Sequence, residues 1–298
     1  MKGIEVIQMS AAKYSTTDRK KFFGVEANCD TLDAGVYRTR MDFNGNIIFD
    51  KIDDGKKAML KFPSDQQRYV INEIADFWKK EKDYRKAGLS YKRGILLYGP
   101  QGSGKTSVIK TLIHDLINAG GIVIDFRDPR YDIQCMQFFR KAEPTRPLMV
   151  ILEDIDAMLT AGGEQQESHI LNMLDGVNQL EHVVFIATTN HPEKLEDRIT
   201  DRPSRFDRVI EVALPDEADR KFYLEHLMEK FETTDKVDMN KWVKDTAKLS
   251  VAHLKELVLS VFVYGQDYDK ALFTLDKMKK TPKVVGRGKE LGFGSDKK

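Results

Sequence analysis

Cysteine is scarce: Cys29 and Cys135 are the only two in 298 residues. Two thiols build no disulfide framework, and neither has metal-ligand spacing, a composition suited to a reducing cytosol. The six histidines form no Cys/His or H-E-x-x-H cluster, so a structural zinc is not expected. No apolar run approaches the ~18 residues of a membrane span. Met1-Lys2-Gly3-Ile4-Glu5-Val6 starts no signal-peptide core. The expectation is a soluble cytoplasmic chain with no membrane partner. A dominant charge is also missing, since 48 Lys/Arg face 47 Asp/Glu for a net charge of +1. No global field therefore marks the whole chain as a binder of nucleic acid or of membranes. Internal repeats are absent as well.

What is present is an ordinary globular balance, 41% hydrophobic and 32% charged, enough to bury a substantial core in one or two domains. Residues 1–62 read as a small separate segment. In it Val36–Met41, Asn44-Gly45 and Ile47–Phe49 signal a β-hairpin. Pro63 then precedes a helix with a Ser64/Gln67 capping-box pattern. Its apolar face is Val70, Ile71, Ile74, Phe77 and Trp78, and Gly88 is expected to end it.

Apolar runs at Ile95–Tyr98, Ile122–Phe126, Leu148–Leu152, Val183–Ala187 and Val209–Leu214 alternate with helical patterns. They imply an α/β core over 63–214, a parallel sheet sandwiched by helices. From Pro215 the strand signal stops, and about four helical patterns to residue 280 read as a small all-helical lid, one of them capped by Ser250. The stretch 281–298 reads as a flexible basic tail. Residues 277–298 carry eight Lys/Arg against two acids, read first as a solvated tail and second as a nucleic-acid contact.

The most informative run is Gly99-Pro100-Gln101-Gly102-Ser103-Gly104-Lys105-Thr106, which fits G-x-x-x-x-G-K-[ST] and is followed by Ser107. Glycines let successive N–H groups turn toward one centre and nest phosphate oxygens. The helix that follows, with Val108, Ile109, Leu112 and Leu116 at helical spacing, aims its positive end at the same anion. Lys105 supplies a point charge to the β/γ-phosphates and Thr106 a hydroxyl to Mg²⁺. Strand, loop and helix in this order predict a P-loop nucleoside-triphosphatase that takes its nucleotide with Mg²⁺, and the loop alone leaves kinase, switch GTPase, helicase and motor ATPase all open.

Three further signals sit at strand ends. Glu153-Asp154 closes Leu148–Leu152, and two carboxylates there are costly unless they meet a cation or a proton-transfer task. Adjacent acids point in different directions, so one can serve the metal and the other the attacking water. Asn190 closes Val183–Thr189 with an amide that could orient water or touch a γ-phosphate oxygen; alone it would read as a turn residue. Arg202 and Arg205 in Arg202-Pro203-Ser204-Arg205-Phe206-Asp207-Arg208 could be surface charges or fingers reaching a neighbouring subunit's γ-phosphate.

These motifs, in this order from about Leu60 to Gly265, resemble an AAA ATPase of the AAA+ superfamily. Leu89–Pro100, Leu152–Asp156, Ile170–Val177 and Thr188–His191 are similar to the branch of the mitochondrial chaperone that translocates the Rieske iron–sulfur protein. That branch shares the Glu-Asp order where most AAA proteins have Asp-Glu. The resemblance implies a ring homo-oligomer, usually a hexamer, with nucleotide between subunits. It makes Lys105 and Thr106 the phosphate and metal residues, Glu153 the metal-side acid and Asp154 the water-positioning acid. Asn190 becomes the sensor, Arg202 and Arg205 the fingers, and Val251-Ala252-His253 the lid's approach to nucleotide.

Against the family pattern, Val251 stands where many relatives have Gly, and Asp201 is an extra residue before the finger pair. The segment after Phe126, Arg127-Asp128-Pro129-Arg130-Tyr131-Asp132, lacks the aromatic–aliphatic–Gly loop of threading unfoldases. The leading expectation is therefore an ATPase that remodels a protein partner without threading it. The alternatives are a DNA-binding or loader-type AAA+ protein, whose affinity would fall steeply with salt, and a non-hydrolysing nucleotide-binding scaffold.

Overall fold

The computed structural model describes residues 19–23, 29–52, 65–176, 180–195, 205–231 and 237–280. Its centre is an eight-stranded sheet in the order β1-β3-β2-β5-β6-β7-β4-β8. The strands are β1 (Lys21–Phe23), β2 (Gly35–Met41), β3 (Ile47–Ile52), β4 (Lys92–Tyr98), β5 (Ile122–Asp125), β6 (Leu148–Leu152), β7 (Val183–Thr189) and β8 (Arg208–Glu211). From β2 through β8 every neighbour in that order runs parallel; β3 pairs antiparallel with both β1 and β2. Every residue of β6 and β7 is buried, as continuous apolar runs covered on both faces require.

One face packs against α1 (Asp65–Phe77) and α3 (Lys105–Asn118), which contribute Val70, Ile74, Phe77, Val108, Leu112 and Leu116 to its core. The other face carries α4 (Pro129–Ala142), α5 (Ile155–Ala161) and α6 (Gly163–Asp175), through Met136, Phe139, Ile155, Leu159, Ile170 and Leu174. The chain then forms α7 (Glu217–Glu229), α8 (Met239–Asp245), α9 (Val251–Phe262) and α10 (Tyr268–Lys280). These bury a separate core around Leu224, Trp242, Leu254, Leu257 and Leu275. The expected parallel sheet between helices and the helical unit after it are both present. Ser250 caps α9 by accepting from the His253 N–H. Among the described residues no helix is long and apolar enough to cross a membrane.

Three local expectations change. The hairpin forms, but its loop is Asp42–Asn46 rather than a two-residue turn, because the Asp42 carboxylate accepts from the N–H groups of Asn44 (2.9 Å) and Asn46 (2.8 Å). It also does not stand apart, since β2 is hydrogen-bonded to β5 and so lengthens the main sheet. The helix expected to run to Gly88 stops at Phe77 and resumes as α2 (Glu81–Lys86). Tyr91 explains the break: its hydroxyl donates to the Phe77 carbonyl at 2.8 Å while its ring stacks on Phe77 at 4.5 Å, which satisfies a helix-end acceptor. The first strand-edge residue expected near Val209 begins one earlier, at Arg208, and pairing ends at Glu211. Ser64 and the basic tail at 281–298 lie outside the described residues.

Candidate active site

Sheet order brings the motifs together. The chain leaves β4, passes over β7 and β6, and returns as β5, while β8 adds to the other side of β4. A crevice opens at the carboxyl ends of strands where the order switches in this way. Tyr98 of β4 stands level with Thr189 of β7, and Leu152 of β6 with Ala187. The phosphate loop, Asn190 and Glu153-Asp154 therefore emerge side by side.

Two close approaches set the loop. Gly99 (φ +149°) lies where a Cβ would meet the Val212 carbonyl at 2.2 Å, and Gly102 (φ +77°) where one would meet the Ser250 hydroxyl at 2.6 Å. Only glycine fits either place. The carbonyl of Gly102 also accepts from the Val251 N–H at 3.1 Å, which fastens the start of α9 to the loop.

Lys105 opens α3 and is 7% exposed. Its ammonium donates to the carbonyls of Gly99 (2.7 Å) and Pro100 (3.0 Å) and to Asn190 Oδ1 (2.7 Å). Burial lowers its pKa, and the nearby Asp154 charge opposes that shift. The other end of the Asn190 amide donates from Nδ2 to Asp154 Oδ1 at 3.1 Å. One amide thus joins the cation to the acid. Asp154 adopts a left-handed backbone (φ +52°), uncommon for a residue with a side chain, and its N–H is held by Thr188 Oγ1 at 3.1 Å. Thr189 Oγ1 in turn donates to Asp156 at 2.7 Å, so the strand end and the first turn of α5 are locked together.

Lys105, Asp154, Thr188 and Asn190 line a cavity of about 500 Å³ with Gln101, Gly102, Gly104, Thr106 and Ser107. Thr106 and Glu153 line the same space, a hard-oxygen pair suited to hold Mg²⁺, which would take its remaining ligands from phosphate and water. No group of three acidic, His or Cys ligands occurs among the described residues, so the protein alone forms no cage. The residues present fit a metal that arrives with nucleotide. The lid closes the cavity with Tyr223, Val251, Ala252 and Lys255. Tyr223 and Lys255 were not anticipated from sequence; Lys255 follows Val251 by one helical turn, a phase the Ser250 cap made readable. His253 instead meets Ser250 Oγ at 2.7 Å through Nδ1.

A second cavity of about 440 Å³ lies on the far side of the acidic pair, lined by Arg127, Pro129, Glu153, Asp154, Met158 and Gln166. The acids therefore stand between two openings.

Arg205 has a partner within its own chain. It is 6% exposed and forms a two-pronged pair with Asp175, Nε at 3.0 Å and Nη2 at 2.8 Å, inside its own chain. The buried backbone around it is equally tight, for a Cβ on Gly94 would strike the Arg205 carbonyl at 2.1 Å. Arg202 lies outside the described residues. Asp175→Ala leaves the Arg205 charge without this partner and is expected to lower stability by about 2–4 kcal/mol in urea unfolding. A change below about 0.5 kcal/mol would show that the pair is dispensable for folding.

The strand, glycine loop, buried lysine and paired acids at a sheet switch point define a P-loop nucleoside-triphosphatase. Residues 95–214 match the model of the ATPase family associated with various cellular activities (AAA). The chain therefore carries an AAA ATPase domain. Three relatives extend the similarity beyond it. The mitochondrial inner membrane i-AAA protease supercomplex subunit YME1 of Saccharomyces cerevisiae is 31% identical over 240 residues, 73% of this chain and 31% of that protein. Protein SAV of Sulfolobus acidocaldarius is 30% identical over 233 residues, 70% of this chain and 30% of that protein. The ATP-dependent zinc metalloprotease FtsH of Pelobacter propionicus is 25% identical over 265 residues, 79% of this chain and 41% of that protein. The chain thus spans roughly a third of the length of the curated relatives it matches.

Proposed function

We propose that this chain is one subunit of an AAA ring whose ATP hydrolysis drives remodelling of a protein partner. The observation that carries the reading is the Lys105–Asn190–Asp154 chain of hydrogen bonds, which sets a cation for the γ-phosphate beside an acid for the attacking water. In the proposed step a water oxygen bonds to the γ-phosphorus as the bond to the β-bridging oxygen breaks. The proton from that water passes to the Asp154 carboxylate, and ADP leaves with the bridging oxygen. Thr106 and Glu153 would hold Mg²⁺, which would neutralise charge on the phosphates when bound.

The opening beyond the acidic pair supports completion of the site by a second subunit, with Arg202 as the guanidinium delivered in trans. The Gly102–Val251 bond supports a lid that follows the loop's nucleotide state, so that partner affinity and nucleotide are coupled. Threading is not part of the reading. The link from β5 to α4 is only Phe126–Asp128, and the buried Asp132 carboxylate pins it by accepting from the N–H groups of Arg127 (2.6 Å) and Asp128 (2.8 Å). The Glu153-Asp154 order supports a place in the Rieske-chaperone branch, while YME1 and FtsH are named as proteases.

Mixing experiments test the shared site. Wild type doped with increasing Arg202→Ala subunits is expected to lose ATPase activity faster than in proportion, with ATP-dependent assembly seen by light scattering. A monomer at every concentration with full turnover, or activity strictly proportional to the wild-type fraction, would refute the ring.

A further inference from the structure

Asp154 sits in an unfavourable backbone conformation at the centre of the site. With φ +52° and ψ +53° it is left-handed, a region in which a Cβ crowds the following carbonyl. Arg19, His182 and Lys248 are the other non-glycine residues with positive φ among the described residues, and none of them lines the nucleotide cavity. Aspartate often enters this region when its own carboxylate bonds the local backbone. Here the carboxylate caps no N–H of α5, and Oδ1 accepts from Asn190 Nδ2 instead. The conformation is therefore fixed from outside the residue. The Asp154 carbonyl accepts from the N–H groups of Ala157 (2.9 Å) and Met158 (3.2 Å), which start α5. Its own N–H donates to Thr188 Oγ1 at 3.1 Å.

Thr188 is 4% exposed and belongs to β7, which is paired on one side with β4 and on the other with β6. Its hydroxyl therefore stands on a rigid support. Asn190 leaves the same strand two residues later, so one strand end grips Asp154 twice, by the backbone through Thr188 and by the carboxylate through Asn190. Thr189, between them, is spent on Asp156 and on the His191 N–H. A turn of Asp154 out of the left-handed region would swing its Cβ, and the carboxylate with it, away from Asn190. We propose that Thr188 is a positioning residue for the reaction: its hydroxyl keeps Asp154 left-handed, so that the carboxylate stays aimed at the attacking water. The inference rests on the reading of Asp154 as the acid for that water.

Turnover and ATP binding by the full chain test this, with single-turnover phosphate release to resolve the slow rates. Thr188→Val keeps the shape and removes the acceptor. It is expected to lower kcat roughly 5- to 50-fold, between the loss of one hydrogen bond and a misplaced acid. KM and the dissociation constant for ATP should stay within about twofold of wild type, because the hydroxyl acts on the chemical step. Thr188→Ser, which restores the acceptor, should keep at least about half of the wild-type kcat. Adding Thr188→Val to Asp154→Asn should slow turnover no further, since a residue that acts through the acid then has nothing left to place. Unchanged kcat in Thr188→Val, a loss confined to KM, a serine variant as slow as the valine one, or losses that multiply in the double variant would each overturn the proposal. Thr188→Ala, also without the hydroxyl, is held to the same outcomes should the valine variant not fold. Wild-type turnover by Asp154→Asn alone would instead sink the reading of the acid, a distinguishable result.

Discussion

Lys105→Ala is expected to reduce ATP turnover to background, a fall of at least about 1,000-fold, and to abolish nucleotide-induced stabilisation. The side chain sits at the junction of loop, helix and Asn190, and three acceptors hold its ammonium in place before nucleotide arrives. Such preorganisation means no reorientation is needed as charge builds on the phosphate. Burial has already lowered its pKa, so in the nucleotide-free fold the charged form is disfavoured relative to the unfolded chain. That penalty holds at pH values below the lowered pKa, where the group is charged, and fades above it. A triphosphate removes it by supplying the missing counter-charge. Thermal unfolding with and without ATP, read beside steady-state phosphate release, checks both parts. Wild type should gain about 2.7 kcal/mol at a hundredfold excess of ATP over its dissociation constant, and the variant close to none. Equal and negligible turnover in wild type and variant would identify a scaffold instead of an enzyme.

Asp154→Asn should behave differently, retaining nucleotide while turnover falls by roughly 100-fold or more. The substitution keeps the shape of the site. An amide oxygen can still accept from Asn190 Nδ2, and asparagine tolerates the left-handed backbone found at this position. What disappears is the negative charge that, on the proposed reading, would receive the proton of the attacking water. Binding and chemistry are thus separated, which makes the variant a trap for partners held in the ATP state. Glu153→Gln is the informative companion: on the metal-side assignment it raises the Mg²⁺ concentration needed for half-maximal rate more than it changes the rate at saturation. Wild-type turnover by Asp154→Asn would remove that residue from the water-positioning role.

Much of this centre was legible in the chain because parallel strands buried on both faces leave unbroken apolar runs, as in Leu148–Leu152 and Val183–Thr189. Their ends carry the chemistry, so Glu153, Asp154 and Asn190 stood out where apolar residues stopped. Contacts between distant segments were not readable in the same way. The end of α1 depends on Tyr91, a residue 14 positions beyond Phe77, and no local pattern announces that hydroxyl as a cap. Arg205 was read from its motif alone, whereas its place is set by Asp175, 30 positions earlier. Gln67 fitted a capping box by spacing, yet its burial beside Gly104 became visible only once α1 was laid over α3.

The added hairpin has a mechanical corollary. Its two long strands share six residue pairs, Val36–Met41 against Ile47–Ile52, but the seam to the rest of the sheet has only three, Gly35–Tyr37 against Ile122–Ile124. A pull on this rim would load the short seam first, together with the buried packing of Tyr37 and Phe49 against the main core. The seam would then act as the fuse that caps how much force this edge can pass on, and lengthening it would stiffen the lever.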